Sequence, residues 1–505
     1  MEDIKIRVEL MNNKKINKKN LIMITAMLMI TIITGMIIYK ITTSNKDQFQ
    51  ESMLVFACSN GNTYILKDGE ITDIKIDGSI KENLYNFERN ISAVINEDEK
   101  LYYITSEESL YITENIKQYC ISLSGNVVAY IDNKDSLYIY DSLDGNKLKI
   151  ADNMGNHYIS ISPDGKIILC MDILGDLYVF NNGESKKLSS ELTNIAVSNN
   201  GEYIYAYNPE TKALYYSTLE SEFIEIANNI DRNASAFCVN KDFSQILYKS
   251  DETFYITVEG TDKYEIGDYN FFIIATRDLF SNKSYGGVAY YMISEFKNNF
   301  YYAMTDNIID TVFINKEYEK CIFADSKNIP IIIKDKTILY TNNNKLYKTS
   351  LKDINDPILI DYNVESFYTT FDMEKVYYIN NSNELWCQEG SSNPIKIFEY
   401  DKEFTIQITN KNVLLIITEY TMKYNGSSNI INGKIYAYDD NKEEIEKIME
   451  NIDSNLIITS SAVYLCTNYD NNTGEFDIYV SNGDKNFSFI MRGSQLGLNE
   501  KYYSE

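Results

Sequence analysis

Short runs of apolar residues recur along this chain, most of them with polar residues on alternate positions, and turn-forming Gly, Asn and Asp stand between them. A period of two belongs to half-buried strands, and the 3.6-residue period of an amphipathic helix is absent. The stretch from about 121 to 260 is the most legible. In Ile159-Ser-Ile-Ser-Pro-Asp-Gly-Lys166 an alternating strand runs into a Pro-Asp-Gly turn. Ile167–Met171, Asp176–Phe180 and Ser185–Ser189 then predict a second, third and fourth strand, a four-stranded meander. Ile121-Ser-Leu-Ser-Gly-Asn126, Ile195-Ala-Val-Ser-Asn-Asn-Gly-Glu202 and Phe237-Cys-Val-Asn-Lys-Asp242 open neighbouring units the same way.

An aromatic residue marks each unit: Tyr64, Tyr111, Tyr138, Tyr178, Tyr215, Tyr255, Tyr301, Tyr347, Trp386, Tyr436 and Tyr479. The gaps between them run from 27 to 50 residues, close to the length of one propeller blade. Asp68-Gly69, Asp144-Gly145, Asn182-Gly183, Glu259-Gly260, Glu389-Gly390 and Asn482-Gly483 supply hairpin turns after the aromatic strand. The predicted fold is all-β: β-propeller blades of four antiparallel strands, about eleven in number. Closed rings usually hold four to eight blades, so two rings are expected, at 53–280 and 281–505, with one large ring as the alternative. Ser281–Gly287 reads as the loop between them.

The Ser162-Pro-Asp-Gly-Lys166 opening resembles the WD40-like repeats of TolB-type β-propellers. The resemblance covers most of 53–495 and is close only over 121–260. It implies a propeller fold with protein or glycan partners, and it carries no catalytic residue to this chain.

Leu21–Tyr39 holds no charge, and only Thr25, Thr31, Thr34 and Gly35 interrupt its apolar residues. As a helix it would reach roughly 28 Å, enough for the hydrocarbon core of a bilayer. Six basic residues against three acidic ones precede it. The positive-inside rule therefore predicts a cytoplasmic tail (1–20), a transmembrane helix (21–39), a stalk (40–52) and an extracytoplasmic remainder. A cleaved signal peptide is the competing reading. The run is long for one, and Lys40 follows it directly where a small-residue cleavage site would stand. Beyond Lys40 the chain carries 40 basic and 70 acidic residues, a balance that repels nucleic acid and anionic lipid.

No catalytic, cofactor-binding or metal-binding residue is assigned, and no cofactor is implied. His157 is the single histidine, expected in an inter-blade turn, so histidine triads and multi-histidine metal sites have no material. The seven cysteines lie at least 50 residues apart and mostly within apolar runs, as buried free thiols do. Asp470-x-Asn472-x-Gly474-x-x-Asp477 departs from a calcium loop by one residue and reads as a hairpin, and Asp439-Asp440 with Glu443, Glu444 and Glu446 reads as an exposed turn. The expected function is a membrane-anchored extracytoplasmic binding or scaffold module for a protein or envelope glycan, and not an enzyme. The alternatives are a carboxylate-dependent glycan lyase or hydrolase, and a sensor signalling through its short tail.

Overall fold

The computed structural model divides into Met1–Glu51 and Ser52–Glu505. It describes residues 54–498 apart from short breaks, the longest at 231–236, 275–281, 326–330 and 351–355. The predicted tail, membrane span and stalk, and the ring boundary near 280, lie outside the described residues. Among the described residues no helix is long and apolar enough to cross a membrane.

The described elements are β-strands, arranged as successive four-stranded antiparallel units of a propeller-like repeat fold. Unit 4 shows how the sequence builds one. Met154–Ile161, Ile167–Asp172, Asp176–Asn181 and Glu184–Ser190 pair in that order. The second strand, Ile-Ile-Leu-Cys-Met-Asp, is buried on both faces because its sheet is covered by a neighbouring unit on each side. The third alternates, and the outer strand, Glu-Ser-Lys-Lys-Leu-Ser-Ser, is largely exposed. Apolar character falls outward along the sheet. The first strands of units 2 to 5 approach one another in sequence, which places them at the hub.

In seven units the apolar–aromatic pair has a structural cause. The register between third and outer strands shifts at Leu137/Tyr138, Leu177/Tyr178, Leu214/Tyr215, Leu346/Tyr347, Leu385/Trp386, Ile435/Tyr436 and Ile478/Tyr479. Such a bulge sharpens local twist. The first residue of each pair is fully buried. The aromatic is half-buried and packs on the second strand: Tyr138 stacks on Tyr130 at 5.4 Å and Tyr347 on Tyr340 at 5.5 Å. Two of the eleven aromatics fall elsewhere. Tyr111 lies on the outer strand of unit 2 and is 51% exposed, the shift there being at Leu101/Tyr102. Tyr301 is buried on the second strand of unit 7.

The first sheet is completed from the other end of the chain, for Gln495–Leu498 pairs with Val55–Ser59. Shared apolar clusters join units 11 and 1, 1 and 2, 2 and 3, 3 to 6, and 6 and 7. Others join 8 and 9, 9 and 10, and 10 and 11. Units 7 and 8 touch through Lys320–Asp325 and Thr337–Asn342.

Several local expectations are corrected. Within the segment read as a loop near 280, Asn282–Tyr285 is a strand. It pairs with Val288–Tyr291, which adds in parallel to Cys238–Val239 and extends the sheet of unit 6. The sequence between the first two strands of unit 7 thus augments its neighbour. His157 lies not in a turn but inside the strand Met154–Ile161, where the register jumps from Met154 to Ile159. Among the described cysteines, Cys58, Cys170, Cys387 and Cys466 are buried. Burial pushes the Cys170 thiol up to about 12 and the Cys120 thiol higher still.

Candidate functional site: a turn-lined mouth on units 3 to 6

The turn joining first and second strands is built alike in units 3 to 6. Its leading side chain accepts the N–H five residues on: Ser122 from Val127 (3.1 Å), Ser162 from Ile167 (3.0 Å), Ser198 from Tyr203 (3.1 Å) and Asn240 from Gln245 (2.9 Å). The leading backbone N–H donates back to the carbonyl of the same partner. The fourth residue closes the turn at positive φ: Gly125 (77°), Gly165 (84°), Gly201 (68°) and, in unit 6, Phe243 (66°). A phenylalanine seldom holds that conformation. Phe243 holds it with its ring buried in the cluster shared by units 3 to 6.

Neighbouring turns are tied together. Ser124 N–H donates to the Pro163 carbonyl at 2.7 Å, and Asp164 N–H donates to Asn199 Oδ1 at 2.7 Å. Between them opens a cavity of about 710 Å³, lined from four units and including Asp164, Asn199, Glu202, Tyr203, Asp242 and Glu259.

Two glycines set its wall. At Gly201 a Cβ would stand 2.3 Å from Leu219 Cγ, and the Leu219 N–H donates to the Gly201 carbonyl at 3.0 Å. Glu202 leaves the turn directly after this close approach. In unit 6, Glu259 and Gly260 both have positive φ (50° and 72°), and a Cβ on Gly260 would strike the Tyr216 ring at 2.4 Å. The Tyr216 hydroxyl in turn donates to the Glu202 carbonyl at 3.1 Å. Unit 6 therefore lays its turn on a tyrosine of unit 5, and Glu259 reaches the rim that carries Glu202.

The carboxylates of the mouth differ in their partners. Asp164 accepts from the Ser162 hydroxyl (2.7 Å) and faces Lys166 Nζ at 3.0 Å. Partial burial would raise its pKa, but the hydroxyl and the ammonium outweigh burial and hold it below the usual range. Asp242 accepts from Asn240 Nδ2 (2.8 Å) and from the Ser244 N–H and hydroxyl (3.0 and 2.6 Å). The exposed side chains of Glu202 and Glu259 make no hydrogen bond or ion pair among the described residues. Their charge is felt by the ring beside them. The Tyr203 phenol is raised by burial first, then by Glu259 and Glu202, and Tyr216 by burial, Glu202 and Glu259. Lys241 supplies a basic group on the lining.

The acidic stretches weighed in the sequence are closed by bases of their own. In the hairpin at Gly474 (φ 71°), Arg492 lies 3.8, 3.2 and 3.2 Å from Asp470, Glu475 and Asp477. Lys485 lies 3.5 Å from Asp439 and 2.6 Å from Glu446. Sequence reasoning assigned no site residue and missed the mouth. The signal available to it was the run of similar turn openings at 122, 162, 198 and 240.

No protein-family model matches the chain, and no curated protein matches it. Among solved structures it is similar to PorZ, a bacterial surface component of the type-IX secretion system of Porphyromonas gingivalis, at 11% identity and a TM-score of 0.31. That overlap covers 88% of this chain and 66% of PorZ, so the chain spans just under two thirds of PorZ's length. It is also similar to a eukaryotic initiation factor, at 11% identity and a TM-score of 0.39, covering 88% of this chain and 96% of the other. At overlaps this loose, the class of protein rests on the strand pairing of the chain itself: an all-β, propeller-like repeat protein with a concave mouth.

Proposed function

We propose that this chain is a membrane-anchored extracytoplasmic β-propeller that acts as a binding or scaffold module, without catalysis, for a protein or envelope glycan. The observation that carries the reading is the cavity of about 710 Å³ built from turns of four consecutive units. Loops held on a rigid scaffold are where binding residues concentrate, and concave sites of this size suit ligands. The eleven units act as blades of one closed ring rather than two, a reading supported by the Gln495–Leu498 clasp on Val55–Ser59 and the unit-to-unit succession of cores. The charge-free span Leu21–Tyr39, with its basic flank, is the anchor.

Two measurements test this. Crosslinking in cells followed by detergent pull-down of tagged full-length protein should recover an envelope partner with the wild type and lose it with Glu202→Lys/Glu259→Lys. Recovery of nothing, or of the same partner by both proteins, overturns the assigned mouth. Proteinase added to intact protoplasts should digest the repeats and spare a membrane-bound N-terminal tag. A chain protected until lysis reverses the orientation, and a soluble product with a new N-terminus near Ser44 replaces the anchor with a signal peptide.

A further inference from the structure

We infer that the mouth on units 3 to 6 selects ligands bearing protonated amines or guanidinium groups, and that Glu202 and Glu259 set this preference beside Tyr203. The inference rests on the binding-module reading and adds the chemical class of the ligand. Three observations converge. The cavity exists as a shaped space, held open by hydrogen bonds between turns rather than by side-chain packing alone. Its half-buried aromatic residue, Tyr203, lines the same cavity as both carboxylates, so charge and ring share one compartment. An ammonium placed there gains Coulombic attraction and a ring contact together.

The third observation is a difference between neighbouring turns of the mouth. In unit 4, Asp164 keeps Lys166 at 3.0 Å. In unit 5, Glu202 stands at the turn position that Lys166 fills in unit 4, and Asn200 stands where unit 4 has Asp164. The local ion pair of unit 4 thus has no counterpart in unit 5, and the negative charge faces the cavity. A chain with 70 acidic and 40 basic residues beyond Lys40 also draws cations toward every face, so the test must separate the mouth from the general field.

Full-length protein in detergent is titrated by calorimetry with tetralysine, with spermidine, with tetraglutamate and with a neutral N-acetylglucosamine tetramer, at low and at 0.5 M salt. Tetralysine and spermidine distinguish a peptide source of the cation from a small polyamine. Binding of either one, weakened at least tenfold by Glu202→Gln/Glu259→Gln and unchanged by Glu443→Gln/Glu444→Gln on unit 10, supports the inference, provided thermal unfolding shows both variants folded. Tyr203→Leu should weaken the same probe several-fold while keeping the charge. Equal loss in both double variants, no loss in either, or no binding of either cation overturns it. Binding of the neutral tetramer instead, lost in the Glu202/Glu259 variant, overturns the cation preference yet leaves the mouth as a binding site. The failure of the inference is then distinct from the failure of the binding-module reading, which the cellular pull-down judges.

Discussion

The turns of units 3 to 6 and those of units 9 to 11 solve one problem with different chemistry. In both arcs the leading side chain of the first turn accepts a backbone N–H. Ser and Asn do so in the first arc, and Thr370, Thr409 and Thr459 do so in the second, from Lys375, Val413 and Ala462. The arcs part over where the donor hydrogens of that side chain go. Ser162, Ser198 and Asn240 donate to side-chain oxygens in their own turns, those of Asp164, Asn200 and Asp242. Thr409 donates to the Gly483 carbonyl of unit 11 at 2.5 Å, and Thr459 to the Ala462 carbonyl at 3.0 Å. An acceptor drawn from side chains places carboxylates and amides on the rim, whereas one drawn from the backbone does not. Two of the mouth's carboxylates, Asp164 and Asp242, therefore grow out of a turn-stabilising device, in the arc that uses that version of it.

The strongest way to break the comparison is to ask whether the arcs fold apart. Ending the chain before Gln495 removes the inner strand of unit 1, four register pairs with Val55–Ser59. At about 1 kcal/mol per hydrogen bond plus lost apolar burial, the cost should exceed about 4 kcal/mol. If one closed ring exists, hydrogen exchange should show Ile167–Asp172 in the first arc losing protection together with Leu414–Thr418 in the second. Full protection of the first arc would make the arcs independent.

A second test compares glycines. Gly201→Ala combines a positive φ of 68° with a Cβ 2.3 Å from Leu219, so a loss of about 2–3 kcal/mol is expected in denaturant unfolding. At Gly145 (φ 70°), where no atom lies within 4 Å, the same change should cost only about 1 kcal/mol, from the backbone alone. Equal losses would mean that the close approach at the mouth contributes nothing.

Much of the scaffold was legible because strands and turns are local. The four strands of unit 4 appear in the sequence within a few residues of their bounds, since alternation and a Pro-Asp-Gly turn are read over fewer than ten residues. The misreadings involve strand order and register, which the residue pattern does not carry. Tyr111 has an apolar neighbour like the other marked aromatics, yet it sits one strand further out, which only the pairing of Lys100–Ile104 with Ser109–Glu114 reveals. Asn282–Tyr285 looks like a loop because its strand is stabilised through a hairpin that adds to unit 6. The mouth was invisible because its parts are distant in sequence. Glu202 and Glu259 are 57 residues apart, and the contact of Gly260 with Tyr216 brings their turns to one rim.

Removing the acceptor tests whether the two arcs use it equally. Ser162→Ala strands the buried Ile167 N–H, and Thr459→Val does the same for the buried Ala462 N–H. Each should cost about 1–2 kcal/mol, the usual penalty for an unsatisfied buried donor. They should differ in one respect: Ser162→Ala should also release Asp164 from the hydroxyl that holds its pKa down, moving its titration toward the ordinary carboxylate value. Thermal unfolding with pH steps between 3 and 7 would register both effects. No change in the acid limb on Ser162→Ala would separate the turn from its rim carboxylate.

The smallest effect belongs to Asp164 itself, and its sign is fixed. Its pKa in the folded chain is lowered against a burial effect of opposite sign, so its ionised form stabilises the fold. That contribution is present above the ordinary carboxylate pKa of about 4 and is lost as pH falls through the lower folded value. The side chain is 26% exposed and its partner Lys166 is 70% exposed. Screening therefore keeps the total within about 1 kcal/mol. Asp164→Asn should lower stability by about that much at pH 7, and the difference from wild type should shrink as the medium is made more acidic. Raising salt to 0.5 M should remove the share owed to Lys166 and leave the share owed to the Ser162 hydroxyl, which is a short-range hydrogen bond. A difference that widens in acid would mean that Asp164 is held above its usual pKa, and with it would fall the argument that turn hydroxyls in the first arc anchor ionised carboxylates on the rim.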